Sequence, residues 1–547
     1  MGREEAACGV VPAGCSNDGE MKHAPQLATG VSLVWLTCAT AVLAVETNEN
    51  RGTDWERIPA HAPTWNRYQI YHELVAKGPH AKVSATVFFG AKDNEEFLNA
   101  GELPDGTVVV FGNASGPTFP ESPKPVLLGS GQRPSTPVSK PAGKEKGKLA
   151  RDLPSGAGFL TFYTPGLVTL QRVVKFDWGV VSLTDGTIST DGRGLLVAGR
   201  CQAAFDSLKG AGPAWRGTGS SCLLRLSVDG GKIEWGWRLE GNPPGNLWQD
   251  KAGNIYFDAG GLNRLSADGQ ELKHVSDRTQ QWRFVDADGN GYFGGDRNTH
   301  TGCEPWRQPY LYKFDTAGTK LWACWEFSPR DVSSARAGLE SDSSVRAVTS
   351  RADGNLIVAG WSDGGNSVFQ RRATDWRTNC PPAALDWSPW WPQGASSYGH
   401  LMVFDPRRQE TLAHLWWCGY LPTNFVGGVK YANRTAGQNI RWVVSLAEGA
   451  VGFTGGGSTG LIQTPNAFSK DPGDGQKVGG ETCVILNKDL SGLLFSSYLP
   501  GVSAARPIAT KKGMLVVGRA TSQARPSLPA DESTDGYILL LELPPPQ

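Results

Sequence analysis

The chain has 547 residues, in which 53 Lys and Arg balance 53 Asp and Glu, so no net charge draws it to nucleic acid or to an anionic membrane. Its 69 Gly, 36 Pro and 20 Trp, together with few long helical patterns, favour an all-β protein over a helical one. Several domains are usual at this length, but closed β architectures often run long as a single unit.

The first predicted element is an apolar segment, Leu27–Leu43, which is short for a membrane span and is followed by the small residue Ala44. Because Met21 and a basic residue stand just before it, we expect Met21 to be the true start and residues 1–44 to be a signal peptide. An uncleaved N-terminal anchor is the alternative. Both interpretations predict export to the periplasm, the cell surface or the medium, and they leave residues 45–77 without an assigned structure.

From residue 78 onwards the sequence repeats one pattern, in which turn or polar residues precede a short apolar strand that ends in a small residue. The copies lie at residues 105–112, 191–199, 252–258, 288–295, 353–360, 448–455 and 512–518. A repeated unit that cannot bury its own apolar face must stack on copies of itself. The pattern therefore predicts a seven-bladed β-propeller of four-stranded antiparallel blades over residues 78–547.

The fifth repeat shows most clearly how a blade divides into strands A to D, counted from the centre outwards. Its predicted strands are Val345–Thr349, Leu356–Trp361, His400–Phe404 and Thr411–Trp417. The A–B and C–D turns are tight, whereas the B–C connection is long here and in every repeat except the third. In such a blade the B–C and D–A connections emerge at one end. We therefore expect a loop face that carries the long connections and a turn face that carries the tight turns.

The last repeat stops after three strands, because Tyr537–Leu541 supplies strand C and the chain ends soon afterwards. Ahead of the first repeat, Val83–Phe89 is a β segment of suitable length that belongs to no blade. We expect these two segments to pair, so that an N-terminal strand joins the last blade and no sheet edge is left exposed.

One turn resembles the start of a calcium loop, because Asp286, Asp288 and Asn290 place oxygen atoms at alternate positions. The positions where an EF-hand needs later ligands hold Gly294 and Arg297 instead. The same stretch aligns with the Asp-Gly turns of other repeats, so a turn is the better explanation and no metal is predicted.

The densest polar stretch of the chain follows the fourth B strand and falls on the predicted loop face. Together with neighbouring positions of the fifth repeat it supplies the candidate ligand-binding residues, which are Asp296, Arg297, His300, Glu304, Arg307, Asp342, Asp363 and Asn366. Side chains of these types can carry acid/base chemistry or bind anions. The alternative is an Arg–carboxylate network that only holds a long loop in place.

Aromatic residues gather in the B–C connection of the fifth repeat. They are Trp376, Trp387, Trp390, Trp391 and Tyr398. Exposed aromatic rings beside polar groups suit a sugar-binding surface, and the same rings would equally suit a small satellite core. The sequence leaves both interpretations open.

Seven cysteines follow Ala44, and their positions fit an oxidising compartment. The predicted disulfides are Cys201 with Cys222, Cys303 with Cys324 and Cys380 with Cys418. Cys483 is left over and is expected to be a buried thiol.

The C-terminal third resembles the bacterial seven-bladed beta-propeller repeat. The resemblance is carried by residues 454–468, 479–487 and 493–501, and by a truncated copy at 516–522 and 535–539. It implies a secreted or cell-surface bacterial protein without a defined catalytic motif. Residues 226–235 and 314–322 resemble the blade signature of quinoprotein dehydrogenases, which supports the fold more than a quinone cofactor.

The function expected from these features is noncatalytic binding of a protein or carbohydrate ligand at the loop face, without a cofactor or a membrane span in the mature chain. The alternative is a propeller enzyme, a lyase, hydrolase or quinoprotein-like dehydrogenase that acts at the mouth of the central channel. The sequence contains no haem attachment motif, phosphate-binding glycine loop or HExxH zinc motif.

Overall fold

The structure is a computed structural model that describes residues 78–90, 94–115, 125–128, 157–176, 181–201, 215–279, 281–298, 307–327, 342–363, 368–380, 398–417, 419–421, 434–436, 439–457, 461–469, 480–521, 523–524 and 534–545. The predicted signal peptide and residues 45–77 lie outside these ranges. Among the described residues, no helix is long and apolar enough to cross a membrane.

Within the described ranges, almost all regular structure is β-strand, apart from short 3-10 turns at Pro165–Leu167, Val368–Gln370 and Ala447–Gly449. The first strands in chain order are β1 (Lys82–Phe89), β2 (Glu95–Glu102), β3 (Val108–Ala114), β4 (Val126–Leu128), β5 (Ala157–Tyr163), β6 (Leu170–Phe176), β7 (Val181–Ile188), β8 (Gly194–Cys201), β9 (Arg216–Gly217), β10 (Ser221–Ser227) and β11 (Ile233–Leu239). The middle of the chain forms β12 (Leu247–Gln249), β13 (Ile255–Asp258), β14 (Leu262–Leu265), β15 (Leu272–Ser276), β16 (Trp282–Val285), β17 (Gly291–Asn298), β18 (Arg307–Phe314) and β19 (Lys320–Cys324). The remaining strands are β20 (Ser343–Ser350), β21 (Leu356–Ser362), β22 (Arg371–Arg372), β23 (Asp375–Asn379), β24 (Tyr398–Asp405), β25 (Glu410–Trp417), β26 (Gly419–Leu421), β27 (Arg434–Ala436), β28 (Trp442–Ser445), β29 (Val451–Gly457), β30 (Gly480–Leu486), β31 (Leu493–Leu499), β32 (Val502–Ala509), β33 (Gly513–Ala520) and β34 (Asp535–Glu542).

These strands form seven antiparallel blades, as the repeats predict. In blade order their A to D strands are β2-β3-β5-β6, β7-β8-β10-β11, β12-β13-β14-β15, β16-β17-β18-β19, β20-β21-β24-β25, β28-β29-β30-β31 and β32-β33-β34-β1. The A strands contact one another in a closed series, β2 to β7, β12, β16, β20, β28, β32 and back to β2. The A strands are therefore the inner strands of a ring, and they surround the central channel.

The seventh blade contains the strand pairing that the sequence predicts. β1 runs antiparallel to β34, with Val87 opposite Ile538 and Phe89 opposite Gly536. The first strand of the described chain thus completes the sheet that holds the last one.

Blade five also follows the predicted strand assignment, because each of its four expected strands lies inside an observed one. Blades one and two differ from the prediction, since each has a fifth strand at its outer edge. β4 and β9 come from the B–C connections and run parallel to β6 and β11. They cover outer edges that would otherwise offer unpaired backbone groups.

The hydrophobic core lies between neighbouring blades. Val110, Val197, Val358 and Val517, from the B strands of four blades, are fully buried. One cluster joins apolar residues of blades one and two, and another joins blades seven and one. Burial against the adjacent copy, rather than within a blade, is the arrangement that repeat proteins use to form a continuous core.

The predicted disulfide between Cys201 and Cys222 is not formed in the structure. Cys201 and Cys222 are both thiols, joined by a side-chain hydrogen bond. Cys222 lies opposite Gly199, while the backbone N–H of Cys201 bonds to Ser220, so the two cysteines are diagonal rather than directly opposite. Diagonal Cα atoms are typically about 7–8 Å apart, which exceeds the usual span of a disulfide.

The other two predicted disulfides each have one partner outside the described residues. Cys324 and Cys380 are thiols in the structure, while Cys303 and Cys418 fall in the undescribed segments. These two pairings stay predictions. Cys483 is a buried thiol, as expected, and burial raises its pKa well above the usual value.

Candidate ligand-binding face

The described candidate residues of blades four and five lie at one end of their strands. Asp296 and Arg297 stand near the end of β17, and Arg307 begins β18. Asp342 directly precedes β20, and Asp363 directly follows β21. This end is the loop face, because the B–C connections leave and return here. His300, Glu304 and Asn366 lie outside the described residues.

The Arg297 side chain bonds to two separate segments of blade four. Its Nη2 donates to Gln308 Oε1 at 3.0 Å and to the carbonyl oxygen of Phe327 at 2.7 Å. Its Nη1 lies 3.3 Å from Glu326 Oε1, which also accepts the Tyr312 hydroxyl at 2.8 Å. The guanidinium group therefore ties the segment after β19 to the B–C hairpin.

Arg307 and Asp342 connect blades four and five at the loop face. The backbone N–H of Arg307 donates to Asp342 Oδ1 at 2.8 Å, and the backbone N–H of Asp363 donates to the Asp342 carbonyl at 3.0 Å. The Arg307 side chain is 54% exposed, and its Nε lies 3.9 Å from Asp342 Oδ2. An ion pair this long and exposed contributes less than about 1 kcal/mol, so the guanidinium group can turn to a ligand at little cost.

Asp296 faces the inner strand of its own blade. Its carboxylate is near enough to Arg283 on β16 to favour the charged form of that side chain. Burial and the neighbouring charge of Arg346 act in the opposite direction and leave the pKa of Arg283 lower than usual. The Asp296 carboxylate therefore acts electrostatically on a side chain of the inner strand of blade four.

The calcium-like sequence forms a turn, which is the explanation favoured by the sequence. Asp286 Oδ1 accepts the backbone N–H groups of Asp288 and Asn290 at 3.0 and 2.9 Å, and Oδ2 accepts the Tyr292 hydroxyl at 3.0 Å. Gly289 adopts φ 83°, which favours glycine. Both oxygens of Asp286 thus accept hydrogen bonds from the turn or from Tyr292.

Blade five contains a buried polar chain that sequence reasoning missed. Ser362 Oγ lies 2.7 Å from His400 Nε2, and His400 Nδ1 lies 3.0 Å from His414 Nε2. Burial lowers the pKa of both imidazoles, that of His414 to about 3, so both rings are neutral near pH 7. The only sequence signal was polar residues inside otherwise apolar C and D strands. Ser362 and His400 are fully buried, so the chain joins strands B, C and D rather than meeting solvent.

A second buried network joins four blades at the channel. Asp185 on β7 accepts hydrogen bonds from Asn99 Nδ2 at 2.9 Å, from Arg506 Nη1 at 2.9 Å and from the backbone N–H of Leu247 at 2.8 Å. These partners belong to blades one, seven and three. Arg506 also lies over the ring of Trp442 in blade six, 4.8 Å from its centroid. Both oxygens of Asp185 are engaged in these contacts, which gives the network a structural role.

The aromatic cluster is described only in part. Trp376 packs against the core of blade five, and the Arg377 guanidinium lies 4.5 Å from its ring centroid. This ring therefore packs on the core that blades four and five share. Trp387, Trp390 and Trp391 lie outside the described residues, and Tyr398 begins β24.

A cleft of about 560 Å³ opens on the opposite, turn face, between blades two and three. Its lining includes Asp191, Arg225, Trp235, Lys251 and Asp268. Arg225 pairs with Asp191 at 2.9 Å and with Glu234 at 2.8 Å. The sequence had predicted only tight turns here, and residues of those turns, from blades two and three, line the cleft.

Solved structures that are similar to the chain at low identity include the following three. The WD40 beta propeller domain of Doa1 is 10% identical, with 84% of this chain and 97% of that chain covered and a TM-score of 0.35. A protein of unknown function from Dyadobacter fermentans DSM 18053 is 10% identical, with 85% and 100% covered and a TM-score of 0.35. A chain of the Mitotic Checkpoint Complex is 8% identical, with 85% and 94% covered and a TM-score of 0.40.

No family model and no curated protein matches the chain. Identities and TM-scores this low carry no information about the ligand or the activity of this chain. The assignment of a seven-bladed propeller therefore rests on its own strand order and ring of inner strands.

Proposed function

We propose that the chain is an exported propeller scaffold that binds a protein or carbohydrate ligand through the loop face. The observation that carries the proposal is the position of Asp296, Arg307, Asp342 and Asp363, which come from two blades and lie at the end where the long connections emerge. Binding residues commonly occupy loops held on a rigid scaffold. Arg307 adds a guanidinium group that is more than half exposed and only weakly paired.

Export to a bacterial surface or periplasm is a second part of the proposal. It rests on the apolar segment before Ala44 and on the resemblance of residues 454–539 to the secreted bacterial repeat. Intact mass of the chain recovered from an exporting bacterial host should show a mature protein that begins after Ala44. Recovery of the unprocessed chain from the cytoplasm would contradict export.

The binding test uses an array of neutral and acidic oligosaccharides, followed by affinity measurement on the strongest hit. The double variant Arg307→Ala/Asp363→Ala should weaken binding about tenfold or more, because it removes charge-assisted contacts. Matched controls on the turn face are Lys251→Ala in the cleft and Arg408→Ala in the C–D turn of blade five, whose side chains are 75% and 73% exposed.

Full affinity of the double variant would contradict a loop-face site, and loss of affinity in Lys251→Ala would place the ligand in the cleft. Circular dichroism of each variant shows whether the propeller is intact. If no oligosaccharide binds, photo-crosslinking from position 307 on exporting cells tests the protein-ligand form of the proposal, with position 408 as the control.

The enzyme alternative would draw its strongest support from Ser362 and His400, whose 2.7 Å contact is typical of a nucleophile and its base. Both side chains are fully buried, so no substrate meets the hydroxyl group in this conformation. The scaffold function is therefore favoured over the enzyme.

A further inference from the structure

One inner strand exposes a charged side chain in the middle of a buried stretch. On β20, Val345 pairs with Gly360 and Ala347 pairs with Ala359, so Arg346 is left out of the ladder as a bulge. Val345 and Ala347 are buried, but Arg346 is exposed. A bulge re-aims the side chain of the extra residue. Because β20 is the innermost strand of its blade, the solvent that Arg346 reaches is that of the central channel.

Three other inner strands also contain a bulge. The ladder skips Leu98 on β2, Thr184 on β7 and Arg283 on β16. In blade six, the exposed Arg441 stands directly before β28. Arginine therefore occupies this part of the channel in three consecutive blades, four to six, whereas blades one and two place neutral residues there.

Two of these arginines have no carboxylate ion pair with a described residue. The third, Arg441, does have one and pairs with Glu481 at 2.5 Å. Arg283 donates through Nε to the Gly294 carbonyl at 2.7 Å, and Arg346 lies over the ring of Trp361, 5.5 Å from its centroid. These contacts fix the position of each side chain without neutralising its charge.

The charges of Arg283 and Arg346 act on each other. Burial lowers the pKa of Arg283, and the neighbouring charge of Arg346 lowers it further. Asp296 and Tyr310 act in the opposite direction, but they do not balance the burial and the repulsion. An anion between the two guanidinium groups would relieve that repulsion, and guanidinium groups bind oxyanions through paired hydrogen bonds.

We propose that the central channel contains an oxyanion-binding site formed by Arg283 and Arg346, on the inner strands of blades four and five. Phosphate, sulfate and carboxylate groups share the chemistry that this pair recognises. The site lies in the channel and not in the long connections, so it can bind an anion whether or not those connections bind a ligand.

The test is titration calorimetry of the full chain with inorganic phosphate, at an ionic strength held constant with chloride. Arg346→Gln should lower phosphate affinity about tenfold or more, since a hydrogen bond between charged groups is lost. Arg346 is exposed, so this variant should fold, and Arg283→Gln should give the same loss if it folds. The matched control is Arg408→Gln on the turn face, which should bind phosphate as the natural chain does.

The result that would overturn the proposal is phosphate binding that Arg346→Gln leaves unchanged, or no phosphate binding by the natural chain above that of chloride. In the second arm of the experiment, the chain is titrated with hexaglutamate instead of phosphate. If it also binds in an Arg346-dependent manner, the site accepts a carboxylate carried on a larger ligand, and if only phosphate does so, the site is one for a small free anion. Either outcome supports the proposal.

Discussion

At the scale of single residues, the sequence predicted what depends on near neighbours and missed what depends on strand register. The turn at Asp286 was recognised because its hydrogen bonds reach residues only two to four positions away. Sequence reasoning left the role of Arg297 open, since its partners Glu326 and Phe327 lie about 30 positions further along. The contact of His400 with His414 was missed, because it requires strands C and D in a particular register.

The buried histidines should make stability depend on pH. Both pKa values are lowered in the folded chain, that of His414 to about 3, whereas an unfolded histidine titrates near 6.5. The unfolded state therefore binds more protons below pH 6.5, and the free energy of unfolding should fall as the pH is lowered from there towards 3, with a slope on the order of 1 kcal/mol per pH unit for each histidine. Urea unfolding between pH 7 and pH 4 measures this slope.

His414→Gln should flatten that slope, because it removes one titrating group and keeps a polar side chain. His274→Gln is the control, since His274 is on the surface with 48% of its side chain exposed. Equal slopes for the natural chain and His414→Gln would show that the pair does not cause the acid sensitivity.

At the scale of elements, the B strands were predictable because an apolar run between a turn and a small residue is a local pattern. The extra strands β4 and β9 were not, since they are short and join their blades only through parallel pairing at the outer edge. The bulge at Arg346 was also missed, because a bulge is defined by the partner strand and leaves no mark in the strand's own sequence.

The close approach of an inner strand to the neighbouring blade gives a test at this scale. Gly186 on β7 faces the Phe111 ring of blade one, and a Cβ atom there would lie 2.3 Å from Phe111 Cδ1. Gly186→Ala should therefore destabilise the propeller by about 1–3 kcal/mol through overpacking. Gly245→Ala is the matched control, because no atom lies within 4 Å of its added Cβ. Denaturant midpoints of the two variants measure the difference, and equal midpoints would show that blades one and two can move apart.

At the scale of the whole molecule, the count of seven blades and the pairing of β1 with β34 followed from the repeats and from one unassigned β segment. The sequence did not reveal which contacts stabilise the inner strands around the central channel. Asp185, Arg506, Asn99 and the backbone of Leu247 come from four blades and meet in one buried network. The positive charge in the channel was not predicted either, because the arginines that carry it are far apart in sequence and come together only on the inner strands.

The measurement that tests the central claim most directly is hydrogen–deuterium exchange of the full chain with and without the strongest binding oligosaccharide or crosslinked partner. A loop-face scaffold predicts slower exchange at the backbone around Asp296, Arg307 and Asp363, where the long connections meet blades four and five. Protection confined to the turns around Asp191 and Lys251, which line the cleft on the turn face, would contradict it.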